Sequence, residues 1–330
     1  MKAIQLSQPG GPEMLKYVDL PTPKPGPGEV LVKAHSIGVC MPEVYVRQGV
    51  YAWMPRLPCI PGIEMSGTVV EAGPGCRQLK VGQNVFVCAR EFDERANCYA
   101  EYFKGSESRI YPVPDGVDLE QVAGLANYQV AWHLLNSALK GFQYDSVLIV
   151  AAAGGVGTGL VQLSRAYGKR VIGVVSSADR GIYARAQGCH DIIDRKTQNV
   201  VDEALRLTDG RGVDLIIDCV GGAGMLKLFD ALERFGMLLL YGRIDGPVNG
   251  NIYEAINKKP WRSAAFRYFT IHTLDDWPER RALATHELLR LMKDGKISVP
   301  IFDRVPLADA PRAHRIFESG AVMGKLLMKP

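Results

Sequence analysis

The chain has 330 residues, enough for two domains with cores of their own. Its 47% hydrophobic and 22% charged content is that of a folded globular protein, and its net charge of +4 is not gathered into a basic tract, which argues against nucleic acid as a partner. No apolar stretch is long enough to span a bilayer, and seven scattered cysteines without a CxxC pair speak against a disulfide framework or a four-cysteine zinc lobe.

The first residues, Met-Lys-Ala-Ile-Gln-Leu, alternate as a strand and lack the apolar core of a signal peptide, so the expected location is the cytoplasm. Residues 1–122 are rich in Gly and Pro and in short alternating strands such as Val30–His35 and Gly67–Glu71, the pattern of a β-rich, barrel-like domain. Over 123–262 strands alternate with helices: Val147–Val150, Val156–Tyr167, Val171–Val175, a helix near Arg180–Gln187, Asp191–Ile193, a helix near Val200–Thr208, Val213–Cys219, a helix at Leu226–Arg234 and a strand at Met237–Tyr241. That order predicts a doubly wound parallel sheet. In 263–330 follow a long helix at Pro278–Lys293, a strand near Ile297–Phe302, a helix near Asp309–Glu318 and a strand at Gly324–Met328, a tail expected to return to the first domain.

The run Val147–Gly157 is the most informative. An unbroken apolar strand enters a glycine turn that opens a helix, with Val156, Leu160, Val161 and Leu163 on its apolar side and Gly168 as its stop. Ala152, Gly154 and Gly157 take the three places of G-x-G-x-x-G, so Ala153, Gly154, Gly155, Val156 and Gly157 are expected to cradle a pyrophosphate at the helix N-terminus. A site for NAD places an acid at the end of the next strand to hold the ribose 2′-hydroxyl. Here Ser176 and Ser177 stand there, with Arg180 beyond and Arg195 after the third strand. Hydroxyls and arginines suit a 2′-phosphate, so the expected cofactor is NADPH.

The segments Gly26–Val32 (Gly-Pro-Gly-Glu-Val-Leu-Val), Pro61–Gly67 (Pro-Gly-Ile-Glu-Met-Ser-Gly), Lys80–Val85, Tyr99–Tyr102, Val113–Gly116, Ala151–Gly157, Asp214–Gly221 and Arg312–Phe317 span nearly the whole chain. Together they resemble the zinc-independent quinone oxidoreductase family of the medium-chain dehydrogenase/reductase superfamily. The resemblance implies an α/β protein with a Rossmann-type doubly wound parallel sheet and a β-rich GroES-like barrel domain. It also implies a homodimer in which the strand Met237–Tyr241 pairs across the two-fold axis.

Metal-dependent relatives hold zinc with a cysteine, the histidine of a Gly-His-Glu segment, and a third cysteine or acid. Cys40 and Glu64 fall at matching places, but Ile63 stands at the histidine position and Leu125–Ala126 supplies no third ligand, so no metal is expected. The acceptor is then polarised by hydrogen bonds from the segment Cys40–Tyr51. The family usually has Asn and Asp where this chain has Cys40 and Glu43, and two tyrosines that remain here as Tyr45 and Tyr51. Related enoyl thioester reductases carry a similar Gln-Gly-x-Tyr, which makes Tyr51 the first choice for a catalytic residue, its phenol donating to a carbonyl oxygen as charge grows there. On the nicotinamide side the family's Leu-Thr pair aligns with Gln129-Val130, with Asn127 and Tyr128 as replacements, while Gly242 and Arg243 end the strand that should meet the ring.

No histidine joins a catalytic set, and no Gly-x-Ser-x-Gly turn is present. The implied activity is NADPH-dependent hydride transfer to a quinone. Reduction of the C=C bond of an α,β-unsaturated carbonyl or enoyl thioester is the alternative, and a nucleotide-binding protein of little turnover, as in lens proteins that resemble the family, is the second.

Overall fold

Short strands separated by glycine and proline turns build the front of the chain, as their alternation predicts. In the computed structural model, which describes residues 1–330, they are β1 (Lys2–Gln5), β2 (Lys16–Asp19), β3 (Glu29–Val39), helix α1 (Met41–Gln48), β4 (Glu64–Ala72), β5 (Asn84–Cys88), β6 (Tyr102–Ser106) and β7 (Ile110–Pro112), then helices α2 (Leu119–Val122) and α3 (Leu125–Asn136). Strands and helices then alternate: β8 (Ser146–Val150), α4 (Gly155–Ala166), β9 (Arg170–Val175), α5 (Ala178–Gln187), β10 (Asp191–Asp194), α6 (Val200–Leu207), β11 (Val213–Asp218), β12 (Leu232–Leu240), α7 (Ile252–Asn257) and β13 (Ala265–Tyr268). The tail carries α8 (Pro278–Lys293), β14 (Ile301–Pro306), α9 (Ala310–Glu318) and β15 (Lys325–Lys329).

The chain divides into two units, Met1–Gln129 with Trp277–Pro330, and Val130–Asp276. In the first, a seven-stranded sheet runs β14-β15-β3-β4-β5-β7, and β6 also pairs with β3. β3 is its hub: Glu29–Lys33 pairs with β6, Val30–Ile37 with β4, and Ile37–Val39 with β15. The alternation of β3 and β4 sends Val30, Val32, Met65 and Val69 into one core with Val85, Val87, Leu326 and Met328. Burial of such side chains contributes roughly 1.5–3 kcal/mol each.

The second unit is a six-stranded parallel sheet in the order β10-β9-β8-β11-β12-β13. Val147, Leu148 and Ile149 of β8 are fully buried, as a central strand covered on both faces requires. No helix is long and apolar enough to cross a membrane.

Five expectations need correction. The nucleotide unit extends to Asp276 rather than 262, because β13 docks parallel on β12 with Met237 opposite Ala265 and Leu240 opposite Tyr268. It also begins inside α3, at Val130, rather than at 123. The helix expected over Leu226–Arg234 is a 3₁₀ segment, Met225–Ala231, and the following strand starts at Leu232; the strand expected near 297–302 lies at Ile301–Pro306. Lastly, β12 has β11 on one side and β13 on the other, so Met237–Tyr241 has no free edge to pair with a partner.

Candidate active site

The glycine turn is built by close approach. Gly154 N-caps α4, its N–H donates to the Ala151 carbonyl (3.0 Å), and Ala151 itself takes the left-handed conformation (φ +58°). A Cβ on Gly157 would lie 2.2 Å from the Ala151 oxygen, so this glycine is required by the packing of the helix on the turn. A Cβ on Gly154 would meet nothing nearer than 3.4 Å. The protein itself does not demand glycine there. The room it leaves over the first N–H groups of α4 suits a bound pyrophosphate, with Ala153, Gly155 and Val156 completing the turn.

At the end of β9, Ser177 caps α5 by accepting from the Arg180 N–H (3.4 Å), with half-buried Ser176 before it. The backbone N–H of Arg195 donates to the Val175 carbonyl (3.0 Å), which sets exposed Arg195 beside the two serines. The nearest strand-end acid, Asp194, turns back to accept from the Lys196 N–H (3.0 Å). At the far end of the sheet, Gly242 follows β12, where a Cβ would lie 2.4 Å from the Cys219 oxygen; Arg243 is exposed.

In the first unit a buried polar cluster gathers behind α1. The Cys40 thiol donates to Glu64 Oε1 (3.1 Å), Lys325 Nζ donates to Cys40 Sγ (2.9 Å) and pairs with Glu64, and Glu64 Oε2 accepts from the Ala126 N–H (2.7 Å). Burial opposes the charge on Lys325, yet Cys40 and Glu64 hold its pKa above the usual lysine value. Burial pushes the Cys40 thiol well up. Glu43 spends its carboxylate on two backbone donors, the N–H groups of Cys40 and Ile63 (both 3.0 Å), and burial lifts its pKa to about 7 against the nearby Lys325 charge. It therefore fixes the start of α1 against the turn before β4.

Of the residues singled out in sequence, Cys40, Glu43 and Asn127 come together, with Asn127 Oδ1 3.8 Å from Cys40 Sγ. Tyr51 is half-buried and meets Trp53 in a tilted contact, ring centroids 5.8 Å apart and planes at 58°, while the Tyr45 hydroxyl makes no hydrogen bond within the protein. Gln129 turns into the fold, accepting from Cys88 and donating to Thr285, and Val130 opens the second unit. Two residues were missed. Lys325 shows in sequence only as a charge opening an apolar strand. Arg90, 7% exposed, donates to the Ala126 carbonyl (2.9 Å) from the end of β5, and nothing in its local sequence marks it.

A glycine-turn nucleotide sheet joined to a β-rich domain of this topology defines a two-domain medium-chain oxidoreductase. Residues 26–135 match the family described as alcohol dehydrogenase GroES-like domain, and 187–328 that described as zinc-binding dehydrogenase. A quinone oxidoreductase of Pseudomonas aeruginosa is 32% identical over 330 residues, covering 100% of this chain and 99% of that one. The Escherichia coli quinone oxidoreductase solved in complex with NADPH superposes with a TM-score of 0.88 at 28% identity, covering both chains fully. A structure of a 2-haloacrylate reductase matches with a TM-score of 0.83 at 27% identity, covering 100% of this chain and 99% of that one. The chain belongs to the quinone oxidoreductase family of the medium-chain dehydrogenase/reductase superfamily.

The second family description raises zinc, and the donors do not fit it. Ile63 puts a buried aliphatic side chain where a histidine would be needed, and the Lys325 ammonium already sits against both Cys40 and Glu64. A catalytic zinc needs three protein ligands, and a fixed ammonium at that point would repel the ion.

Proposed function

We propose that the chain is a cytoplasmic, homodimeric reductase that takes hydride from NADPH to a quinone without a metal. The single observation that carries the cofactor is the end of β9, where hydroxyls and Arg195 stand in place of a carboxylate. NADPH, when bound, supplies the hydride. The chain's own residues do the rest: the α4 N-terminus holds the pyrophosphate, Ser176, Ser177, Arg180 and Arg195 receive the 2′-phosphate, and Gly242 borders the ring. Tyr51 and Tyr45 present phenols to the acceptor oxygen, while Cys40 and Glu43 set the loop that carries them. Rate enhancement comes chiefly from holding donor and acceptor at reacting distance.

A second reading, reduction of a C=C bond conjugated to a carbonyl, is favoured by the likeness to the 2-haloacrylate reductase. It asks more of Tyr51, because the carbonyl oxygen becomes an enolate that needs a donor. Steady-state NADPH oxidation with quinone and enone panels, by wild type and Tyr51→Phe, separates the two. We expect NADPH to be preferred over NADH by about tenfold or more, and Tyr51→Phe to lower enone turnover by about a hundredfold while sparing quinones. An equal loss on both panels removes the proton-donor role, and tight NADPH binding with no oxidation by any acceptor returns the low-turnover alternative.

A further inference from the structure

Four large cations are nearly fully buried in the first unit, Arg47, Arg90, Arg281 and Lys325, and Arg281 donates to the Arg90 carbonyl (2.8 Å). Arg47 pairs with Glu318, and Lys325 with Glu64. Arg90 has no carboxylate partner. Its hydrogen bonds go to the Ala126 carbonyl and to the Cys88 sulfur, whose own proton is given to Gln129 Oε1 (3.3 Å). Glu91, next in the chain, turns Oε2 to the Tyr111 hydroxyl and leaves Oε1 without a partner; it feels the Arg90 charge but makes no ion pair with it. The remaining groups that face Arg90 are Cys40 and Tyr51, a thiol held neutral by burial and a phenol. An unpaired buried cation is costly, by several-fold more than one in an ion pair, and persists where a charge from outside the chain completes it.

The surroundings describe that charge's carrier. Tyr51 and Trp53 form a tilted aromatic pair, ring centroids 5.8 Å apart and planes at 58°, with the Arg95 guanidinium 5.8 Å from the Trp53 ring. The Ala126 carbonyl that Arg90 holds precedes Asn127 in α3, and Asn127 meets Cys40. A flat conjugated ring packed against Tyr51 would bring a substituent toward Arg90, whose charge Tyr51 faces. We infer that the acceptor is a planar conjugated carbonyl compound bearing an anionic substituent, carboxylate or sulfonate, and that Arg90 is the residue that receives this charge. The inference rests on the proposed reading of the site as one for conjugated carbonyl acceptors. It makes Arg90 a specificity-determining residue and involves no covalent step.

The test compares 1,4-naphthoquinone with 1,4-naphthoquinone-2-sulfonate as acceptors, and 2-naphthoate with 2-naphthamide as ligands titrated calorimetrically into the NADP⁺-loaded protein. Wild type is expected to favour the anion by about tenfold or more in kcat/KM, mainly through KM, and in affinity, and Arg90→Met to bring both ratios to about one. Arg90→Lys, which keeps the charge without the fork, should give intermediate ratios, and serves if Arg90→Met does not fold. Absence of any preference in wild type overturns the inference. So does a preference that survives Arg90→Met, or one that Arg95→Met abolishes in its stead. If neither quinone is turned over while naphthoate is still preferred through Arg90, the proposed activity fails and the anion site stands.

Discussion

His314 shows how one side chain ties this fold to pH. It lies fully buried in α9, its Nε2 3.2 Å from the Tyr99 hydroxyl and its Nδ1 without a partner. Burial, reinforced by the nearby Arg47 charge, holds its pKa down to about 3, against about 6.5 in an unfolded chain. Between those values the unfolded state binds a proton that the folded state refuses, so stability falls as pH drops from 6.5 toward 3. Glu43 acts with the opposite sign: its folded pKa of about 7 lies above the unfolded value, so the folded state holds the extra proton between about 4.5 and 7. The two slopes overlap, and only a difference measurement separates them. Urea unfolding of wild type and His314→Gln at pH 7, 6, 5 and 4 should show wild type losing ground to the variant by about 1.4 kcal/mol per unit below 6.5, on the order of 3 kcal/mol at pH 4. A constant difference across that range would show that His314 takes up its proton in the fold as readily as in the unfolded chain.

At the scale of elements, the turn between β8 and α4 assigns different jobs to two glycines of one motif. Gly157→Ala drives a Cβ to 2.2 Å from the Ala151 oxygen and should cost about 1–3 kcal/mol in thermal or urea unfolding, since backbone must move. Gly154→Ala meets only ordinary contact at a φ of −76°, so stability should change by less than about 0.5 kcal/mol. Its expected loss is in NADPH affinity, by about tenfold or more in a fluorescence titration, because the methyl enters the space left for pyrophosphate. If both variants lose stability alike, the distinction between a glycine for packing and one for ligand is wrong. This turn was legible in sequence because every determinant is local: an apolar run, small residues at fixed offsets, and a helix stripe. The start of β12 was not, because Leu226–Arg234 carries apolar residues at helical spacing while the pairing of Leu232 with Val213 draws its second half into the sheet. Nor was the polar cluster behind α1. Lys325 lies 285 residues from Cys40, and no periodicity reports that the last strand will insert an ammonium between Cys40 and Glu64. Arg90 was hidden similarly, since burial without a counter-charge is a property of the packed unit.

At the scale of the molecule, the proposed homodimer rests on the exposed end of the parallel sheet. β13 is the outermost strand, so one row of its N–H and C=O groups has no strand partner. The strand is short, but it carries no proline, and its one charge, Arg267, is spent on the Ala138 carbonyl. Tyr268 is 63% exposed and Trp261, just before the strand, 64% exposed. An edge with no proline and no free charge, rimmed by aromatic residues, invites a second copy, and two β13 strands meeting about a two-fold axis would run antiparallel and extend the sheet across both subunits. Every substitution on such an edge is met by its own image. The double variant Ala265→Lys/Tyr268→Lys would therefore place four like charges along one seam and should sediment as a monomer at concentrations, about 10 μM, where wild type sediments as a dimer. Neither residue belongs to the proposed site, so the circular dichroism of the variant should match wild type and NADPH should still protect it from heat. A wild type that sediments as a monomer, or a double variant that remains dimeric, would move the interface away from β13.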